Sequence, residues 1–550
     1  MCSNLKYRCT VQTRTPAILP ARRPVLFCAK IILFLFIALA FPPGCTSLPH
    51  GASRTYSSAV SENVETRLSR AIQSARQNHP GESGFTPLQS GLAAFAARMA
   101  LAESAERSLD IQYYIWHNDE IGELFAAALL RAADRGVRVR LLLDDWGVYD
   151  ADELLSTLEM HPNIDVRLFN PFRFRSLRKI ETLLSFSRIN RRMHNKSFIA
   201  DNQITIVGGR NIGNEYFDAH DAVNFSDFDV LAIGPLVREV SDAFDRYWNS
   251  DIAVPVRDLI SPPTDADLTN LRTDLSEHIR EMTDSSYMKQ VRQSDLVSSL
   301  KQGQVRLYWG DAHVIYDDPE KVVTSTQERD THLITRLGPL LQDTDEELII
   351  ISPYFIPGKR GVAQFSKLTS KGIRVRVLTN SLASNDVGLV YAGYKPYIIP
   401  MLKAGVELYE AKPGTNITGN GKTDTDRIGS SSRSSLHTKL YVFDQEKIFV
   451  GSLNLDPRST VLNTELGIVF TNKEFGELIA KEWQNRIRRT SYQLRLVGEP
   501  KASEEDDIFR LRWIEYTEDG IIEHKVEPYV GFWRRLGIDF LGFLPIESQL

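Results

Sequence analysis

The pattern HxKxxxxD occurs twice in this chain, its two histidines 243 residues apart at His194 and His437. The first copy is His194, Lys196 and Asp201, trailed by Gly208-Gly209-Arg210-Asn211; the second is His437, Lys439 and Asp444, trailed by Gly451-Ser452-Leu453-Asn454. One such motif arises by chance in roughly one chain in thirty of this length, and two with matching tails are a duplication. The chain is therefore expected to fold as two similar halves. Alternate residues of a strand share a face, so His194 and Lys196 are expected to project together from one strand, as are His437 and Lys439 from another. Asp201-Asn202-Gln203 and Asp444-Gln445-Glu446 then read as hairpin turns, which gives Asp201 and Asp444 a structural, turn-bonding role.

The sequence around each motif supports an α/β fold class. Residues 108–116 and 347–356 read as strands, 122–133 and 361–370 as helices, and 135–143 and 371–378 as glycine-initiated return strands. Strand, helix, Gly stop and strand make a βαβ unit, predicting two α/β domains, each a mixed β-sheet flanked by helices. The expected divisions are a leader over 1–45, a polar tether over 46–85, a first domain over 86–255, a partly helical connection over 256–340, a second domain over 341–500 and an extension over 501–550. Residues 413–435 are rich in Gly, Ser and Thr and lead into His437, which fits a flap over an entrance or disorder without function. In the extension, Phe532, Trp533, Leu536, Phe540, Leu541, Phe543 and Leu544 stand beside Arg534 and Arg535; an interfacial amphipathic helix and docking on the protein's own body both fit.

All four cysteines (Cys2, Cys9, Cys28, Cys45) lie within the first 45 residues, so the remaining body can hold neither a disulfide nor a Cys-rich zinc site. Lys6, Arg8, Arg14, Arg22 and Arg23 precede the apolar run 31–41, which ends at Pro42-Pro43-Gly44-Cys45. This reads as an export signal. Cys45 is a candidate for lipidation, although Pro42 stands where an aliphatic residue is usual; an uncleaved anchor and plain cleavage are the alternatives. In each case the basic flank puts the body on the outer face of a bacterial cytoplasmic membrane.

Two imidazoles and two ammonium groups suit transfer of a phosphodiester. One neutral His attacks phosphorus to form a phosphohistidine, while the other, protonated, gives its proton to the leaving alcohol. Lys196 and Lys439, with an ordinary pKa near 10, are expected to stay cationic beside the nonbridging oxygens. Asn211 and Asn454 are expected to add donors, as is a phosphate-binding turn at Gly208, Gly209, Gly451 and Ser452 through the backbone N–H groups of Gly209 and Ser452. Each His also requires an acid on its far nitrogen. Glu465 follows the second motif by 28 residues, and Asp227 is preferred to Asp229 after the first. No carboxylate cluster flanks either motif, so neither a metal nor another cofactor is expected. The formal net charge of −5 gives no reason to expect a nucleic-acid partner.

The duplicated motif resembles that of the phospholipase D superfamily, in which two halves related by a pseudo-twofold axis share one site. From about Gly81 to the C-terminus the chain is most similar to bacterial cardiolipin synthases of the C branch. The resemblance is carried by 109–116, 166–172, 190–196, 208–213, 378–383 and 451–459, the last containing Asp456-Pro457-Arg458. It implies phospholipase D-like domains, Glu465 as a His-orienting acid, His194 as nucleophile and His437 as acid–base. It also implies transfer of a phosphatidyl group from phosphatidylglycerol or phosphatidylethanolamine to phosphatidylglycerol. A hydrolytic phospholipase D, a nuclease of the superfamily and a catalytically silent membrane scaffold are the alternatives, and an accessory protein is left open. Phospholipids and a bacterial membrane are the expected partners. The eight Lys and Arg of 172–196 (Arg173, Arg175, Arg178, Lys179, Arg188, Arg191, Arg192, Lys196) fit anionic headgroups, with a solvated loop or a nucleic-acid patch as the other readings.

Overall fold

The duplication becomes two sheets. A computed structural model describes residues 55–220, 223–261, 263–302, 304–324, 332–385, 387–414, 433–498 and 510–542. The expected leader with Cys45 and most of 413–435 lie outside the described residues, as do Phe543 and Leu544. The first part of the chain supplies β1 (Ser83–Leu88), β2 (Ser108–Ile115), β3 (Arg138–Gly147), β4 (Ile164–Phe169), β5 (Ser197–Ala200), β6 (Ile204–Gly208), β7 (Val223–Ser226), β8 (Asp229–Ile233), β9 (Ala253–Pro255) and β10 (Tyr308–Gly310). The second supplies β11 (Ala312–Tyr316), β12 (Glu347–Ile351), β13 (Arg374–Asn380), β14 (Glu407–Ala411), β15 (Arg433–Leu436), β16 (Leu440–Phe443), β17 (Lys447–Gly451), β18 (Leu466–Thr471), β19 (Ser491–Val497), β20 (Arg510–Thr517) and β21 (Gly520–His524).

The sheet orders are β10-β1-β8-β6-β5-β2-β3-β4-β9 and β11-β18-β17-β16-β12-β13-β14-β19-β20-β21. In both, a parallel trio (β2-β3-β4, β12-β13-β14) continues into antiparallel hairpins that carry the motifs. Crossover helices join the parallel strands, as short parallel connections require. One of them, Glu120–Asp134, is N-capped by Asp119, whose carboxylate accepts from the Gly122 N–H at 3.0 Å. The inner faces of the two sheets share one apolar core: Ile199, Val207 and Val230 join Ile351, Val442 and Ile468, and Phe85 stacks on Phe470 with centroids 4.5 Å apart. Each outer face has its own helix-covered core. The layering is helix, sheet, sheet, helix.

Several expectations are corrected. The His-x-Lys segments are not inside strands but in the extended lead-ins to β5 and β16, because each lead-in is bonded to the other lobe. Asp201 and Asp444 do occupy hairpin turns, at φ 52° and 50°, yet their carboxylates bond elsewhere. Asp201 accepts the backbone N–H groups of Glu106, Arg107 and Ser108 at 2.7–3.1 Å, and Asp444 those of Asp345, Glu346 and Glu347 at 2.8–2.9 Å. Each aspartate thus pins its hairpin to the start of the neighbouring central strand.

The described part of the expected tether is bound to the first lobe. Arg140 and Arg167 donate to the carbonyls of Ser57 and Thr55, and Thr66 and Ser69 form a capping box on helix Arg67–Gln77. In the connection, β10 and β11 enter different sheets, while helices Asp265–Thr283, Ser286–Arg292 and Asp295–Gln302 lie on the helices of the first lobe. At the C-terminus, β20 and β21 widen the second sheet. Helix Phe532–Leu541 docks on helix Gly388–Tyr394 through buried Ile538, which is the docking reading of this element, while Phe532, Trp533, Leu536 and Phe540 stay exposed.

The basic stretch before His194 also differs from expectation. Its cations face inward: Arg175 pairs with Asp145 at 2.8 Å, Arg178 with Asp152 at 2.8 Å, Arg188 with Glu181 at 2.5 Å and Arg192 with Asp144 at 2.9 Å. Lys196 is buried and Arg191 donates to the Val322 and Thr324 carbonyls, which leaves Arg173 and Lys179 exposed. Phe174, Leu177, Ile180, Leu183, Leu184 and Phe186 face outward instead.

Replacing Asp201 by Ala leaves three backbone donors at the start of β2 without their acceptor. An unfolding midpoint in urea lowered by the equivalent of about 1–3 kcal/mol is expected, with the slope unchanged. An unaltered midpoint would show that the aspartate clamps nothing of consequence.

Candidate active site

His194 and His437 line one cavity of about 390 Å³. Each is fixed by the opposite lobe at two points. The His194 N–H donates to the Thr464 carbonyl at 2.8 Å, and its Nδ1 meets Glu465 Oε2 at 2.8 Å. The His437 N–H donates to the Ser226 carbonyl at 2.8 Å, and its Nδ1 meets Asp227 Oδ2 at 2.6 Å. A carbonyl and a carboxylate from consecutive residues therefore hold the backbone and ring of each histidine, and Nε2 is the nitrogen left for chemistry. Backbone pairing explains the crossing. Met193 bridges Thr464, and β15 runs parallel to β7 with Leu436 opposite Ser226. Asp229 is committed elsewhere, paired with Arg98 at 2.8 Å.

The glycine-rich tails make room rather than cradle phosphate. The N–H groups of Gly209 and Ser452 already donate to the Phe228 and Leu466 carbonyls at 3.3 and 2.9 Å, so they are not the phosphate donors the sequence suggests. A methyl at Gly209 would lie 2.3 Å from Asp227 Oδ1, one at Gly208 2.1 Å from Asp229 Oδ1, and one at Gly451 2.5 Å from the Gly467 Cα. Ser452 contributes differently, its hydroxyl donating to Glu465 Oε2 at 2.5 Å. Asn211 and Asn454 both line the cavity. The amide of Asn211 accepts from the Ile115 N–H at 3.2 Å and donates to Tyr216 Oη at 3.0 Å, so it braces β2 and a wall aromatic.

Both lysines are buried, and each donates to the carbonyl of its own histidine, Lys196 to His194 at 2.5 Å and Lys439 to His437. Burial pulls the Lys196 ammonium well below the ordinary lysine range, against the expectation of an unperturbed cation, although Glu465 and Asp227 oppose the shift. Burial also lowers both imidazoles. For His194, the charges of Lys196 and Lys439 push further down; for His437, Lys439 pushes down as well and Asp227 pushes back up. Glu465 is raised by burial to about 7. Asp227 is drawn below its usual value, because the attraction of His437 and Lys439 outweighs its burial.

Several residues of the site carry no role in the sequence reading. The β2–β3 register shifts between Tyr113 and Ile115, and Tyr114 at that irregularity meets the His194 ring edge-on at 5.1 Å. Tyr216 meets His437 at 5.3 Å. Asp144 holds the His194 lead-in through Arg192 and the Met193 N–H, the latter at 2.8 Å. Asp317 receives the Glu465 N–H at 2.8 Å. Arg458 lines the cavity, held by the side chain of Asn190 at 2.6 Å. Tyr114 and Arg458 lie in segments that carry the family resemblance, and the acidic pair Asp144-Asp145 at the end of a parallel strand is a further signal in the sequence. Among the described residues, His117, Asp119 and Glu215 form the one group whose ligand atoms lie close enough for a metal. It lines a neighbouring cavity; His117 and Glu215 approach to 3.3 Å, and the Asp119 oxygens accept the Gly122 and Asn214 N–H groups.

Two predictions follow from this geometry. Gly209→Ala displaces the Asp227 carboxylate from His437, and turnover is expected to fall roughly a hundredfold, the scale set by an ångström of misplacement; turnover within twofold of the parent would contradict it. Because folding raises the Glu465 carboxyl from 4.5 to about 7, its contribution to stability is full below about pH 4.5 and is lost as pH rises through 7. Glu465→Gln, which cannot ionise, should therefore gain stability relative to the parent between pH 5 and pH 8 even as activity is lost. Equal differences in urea midpoint at the two pH values would refute this.

Comparison with known proteins agrees with the architecture. Residues 99–248 and 337–487 each match the family model described as cardiolipin synthase, PLD-like domain. Cardiolipin synthase C of Escherichia coli (strain K12) is 42% identical over 485 residues, covering 88% of this chain and 100% of the relative. An uncharacterized protein of Helicobacter pylori is 32% identical over 524 residues, covering 94% of this chain and 100% of the relative. Among solved structures, phosphatidylserine synthase of Haemophilus influenzae shares the fold, with a TM-score of 0.50 at 14% identity over 77% of this chain and 92% of that one. Paired lobes, a duplicated motif and similarity over most of the chain place it in the cardiolipin synthase family of phospholipase D-like proteins.

Proposed function

We propose that this chain is a phosphatidyltransferase that makes cardiolipin, moving a phosphatidyl group from phosphatidylglycerol or phosphatidylethanolamine to phosphatidylglycerol. One observation carries the reading: two imidazoles, each held through Nδ1 by a carboxylate of the other lobe, line the same cavity. His194 Nε2 attacks the donor phosphorus, the bond to the headgroup oxygen breaks, and that oxygen takes a proton from His437 Nε2. The acceptor hydroxyl then gives its proton to His437 as its oxygen bonds phosphorus and the phosphorus–nitrogen bond breaks. The order follows the charges around each ring. His194 is lowered further than His437: burial and the charges of Lys196 and Lys439 favour its neutral, attacking form, while at His437, itself lowered by burial and by Lys439, Asp227 opposes part of the shift.

Lys196 and Lys439 place positive charge behind the histidines, and an arriving phosphodiester supplies the counter-charge that burial denies Lys196. Tyr114, Tyr216, Phe225, Val387 and Leu389 line the cavity with largely apolar surface, which favours an alcohol over water as acceptor. Membrane association is supported by the outward apolar face of 174–186, with Arg173 and Lys179 on it, and by the exposed aromatics of helix Phe532–Leu541. No helix of the described residues is long and apolar enough to cross a membrane. With the basic, then apolar, N-terminal segment as its anchor or export signal, the body works on the outer face of the cytoplasmic membrane.

Expression in a bacterial host lacking cardiolipin should restore that lipid. Phosphatidic acid alone would mean hydrolysis, and degradation of naked DNA by purified protein would mean a nuclease. With donor lipid labelled at phosphorus, an acid-labile label should attach to the His437→Ala chain and not to His194→Ala; the reverse pattern would exchange the two roles. Removing the Asp227 charge lowers the pKa of His437, so Asp227→Asn should move the alkaline limb of the pH–rate profile to lower pH. A limb that stays or rises would remove His437 from the acid role.

A further inference from the structure

The two halves of the cavity differ in charge. Arg458 lies four residues after Asn454, and the position four residues after Asn211 in the first half is Glu215. Glu215 faces His117 at 3.3 Å in the neighbouring cavity, whereas Arg458 lines the catalytic one. The Arg458 guanidinium rests on neutral acceptors, Asn190 Oδ1 at 2.6 Å and the Asn190 carbonyl at 3.1 Å. Among the described residues it forms no ion pair. The nearby carboxylate of Asp456 is turned to the Ser459 N–H at 2.7 Å. A fixed planar cation, anchored on one side and open to the cavity, is built to receive an anion bidentately.

The transfer reaction brings two phosphates into this space. One is the donor phosphorus at the histidines. The other is the intact phosphodiester of the acceptor lipid, a three-carbon glycerol away from the hydroxyl that attacks. We propose that Arg458 forms a second phosphate subsite, which binds the phosphodiester of the acceptor phospholipid and so selects a phosphate-bearing alcohol over free glycerol or water. The matching position of the first half is Glu215, an acid, so the subsite gives a pseudo-symmetric cavity a single acceptor side. The proposal rests on the transferase reading above and names the acceptor site of the same cavity. In the second step the acceptor hydroxyl still loses its proton to His437 as its oxygen replaces His194 on phosphorus; Arg458 makes and breaks no covalent bond.

The test uses the full chain on phosphatidylglycerol vesicles with radiolabelled free glycerol in the surrounding buffer. Cardiolipin formation reports transfer to a phosphate-bearing acceptor, and label entering phosphatidylglycerol reports transfer to a neutral one from the same donor. Arg458→Gln should lower the ratio of the first rate to the second roughly ten- to hundredfold, the range of a charge-assisted hydrogen-bond pair. Arg458→Lys should restore part of that ratio through its point charge. Asn190→Ala, which removes one of the two anchors but keeps the cation, should lower the ratio by less than Arg458→Gln does. If Arg458→Gln depresses both rates equally, or if Arg458→Lys restores none of the ratio, the residue only braces the loop and the proposal is overturned. If the parent chain forms neither product, the transferase reading fails first and takes this subsite with it.

Discussion

An imidazole with nothing on Nδ1 samples two tautomers and several ring orientations, and a reaction that needs one nitrogen at one phosphorus cannot tolerate that freedom. Here the restraint on each ring comes from the other half of the chain, Glu465 for His194 and Asp227 for His437. The backbone is exchanged in the same way, through the carbonyls of Thr464 and Ser226. Neither lobe contains an oriented histidine by itself. The shared core between the sheets, with Phe85 against Phe470, therefore has a catalytic meaning as well as a structural one. It sets the spacing at which each lobe's acid reaches the other's base.

Burying this machinery costs stability. Four charged groups and two imidazoles occupy a space from which water is largely removed, and desolvation shifts Lys196, His194 and Glu465 toward their neutral forms. Close packing keeps the arrangement in place. Glycine at 208, 209 and 451 lets backbone and carboxylate approach to distances that a Cβ would forbid. Asp201 and Asp444 tie each motif hairpin to a central strand. The site is thus held by the sheets, which is where a pre-organised electrostatic environment is best built.

Much of this was legible in the sequence because the motif is periodic and repeated. The βαβ units, the pairing of His with Lys and the choice of Asp227 over Asp229 all rest on local spacing. The crossing of the acids was not legible, since spacing along the chain places Asp227 nearer His194 than His437. Nor was the inward turn of Arg175, Arg178, Arg188 and Arg192, because a run of cations reads as a surface until the carboxylates of Asp144, Asp145 and Asp152 are found beneath it. The tail glycines depart from expectation for a related reason. A Gly-rich turn beside an anion site suggests open N–H groups, and here those of Gly209 and Ser452 had already been taken by neighbouring strands. Tyr114 and Arg458 fall within segments that carry the family resemblance, but their places in the site come from a register shift and a long-range anchor, which spacing along the chain does not give.

The insertion ahead of His194 is built in reverse of an ordinary surface helix, with ion pairs on its underside and Leu177, Ile180, Leu183 and Leu184 outward. Arg175 bolts it to Asp145 at the end of β3 and Arg178 to Asp152 on the helix that follows, and peeling it away would strand those charges. Such an element cannot trail as a loose tether. An apolar phase that received it would meet the rigid body behind it, so the tilt of that phase against the protein, and with it the angle from which a lipid would approach the two histidines, would be set by the fold.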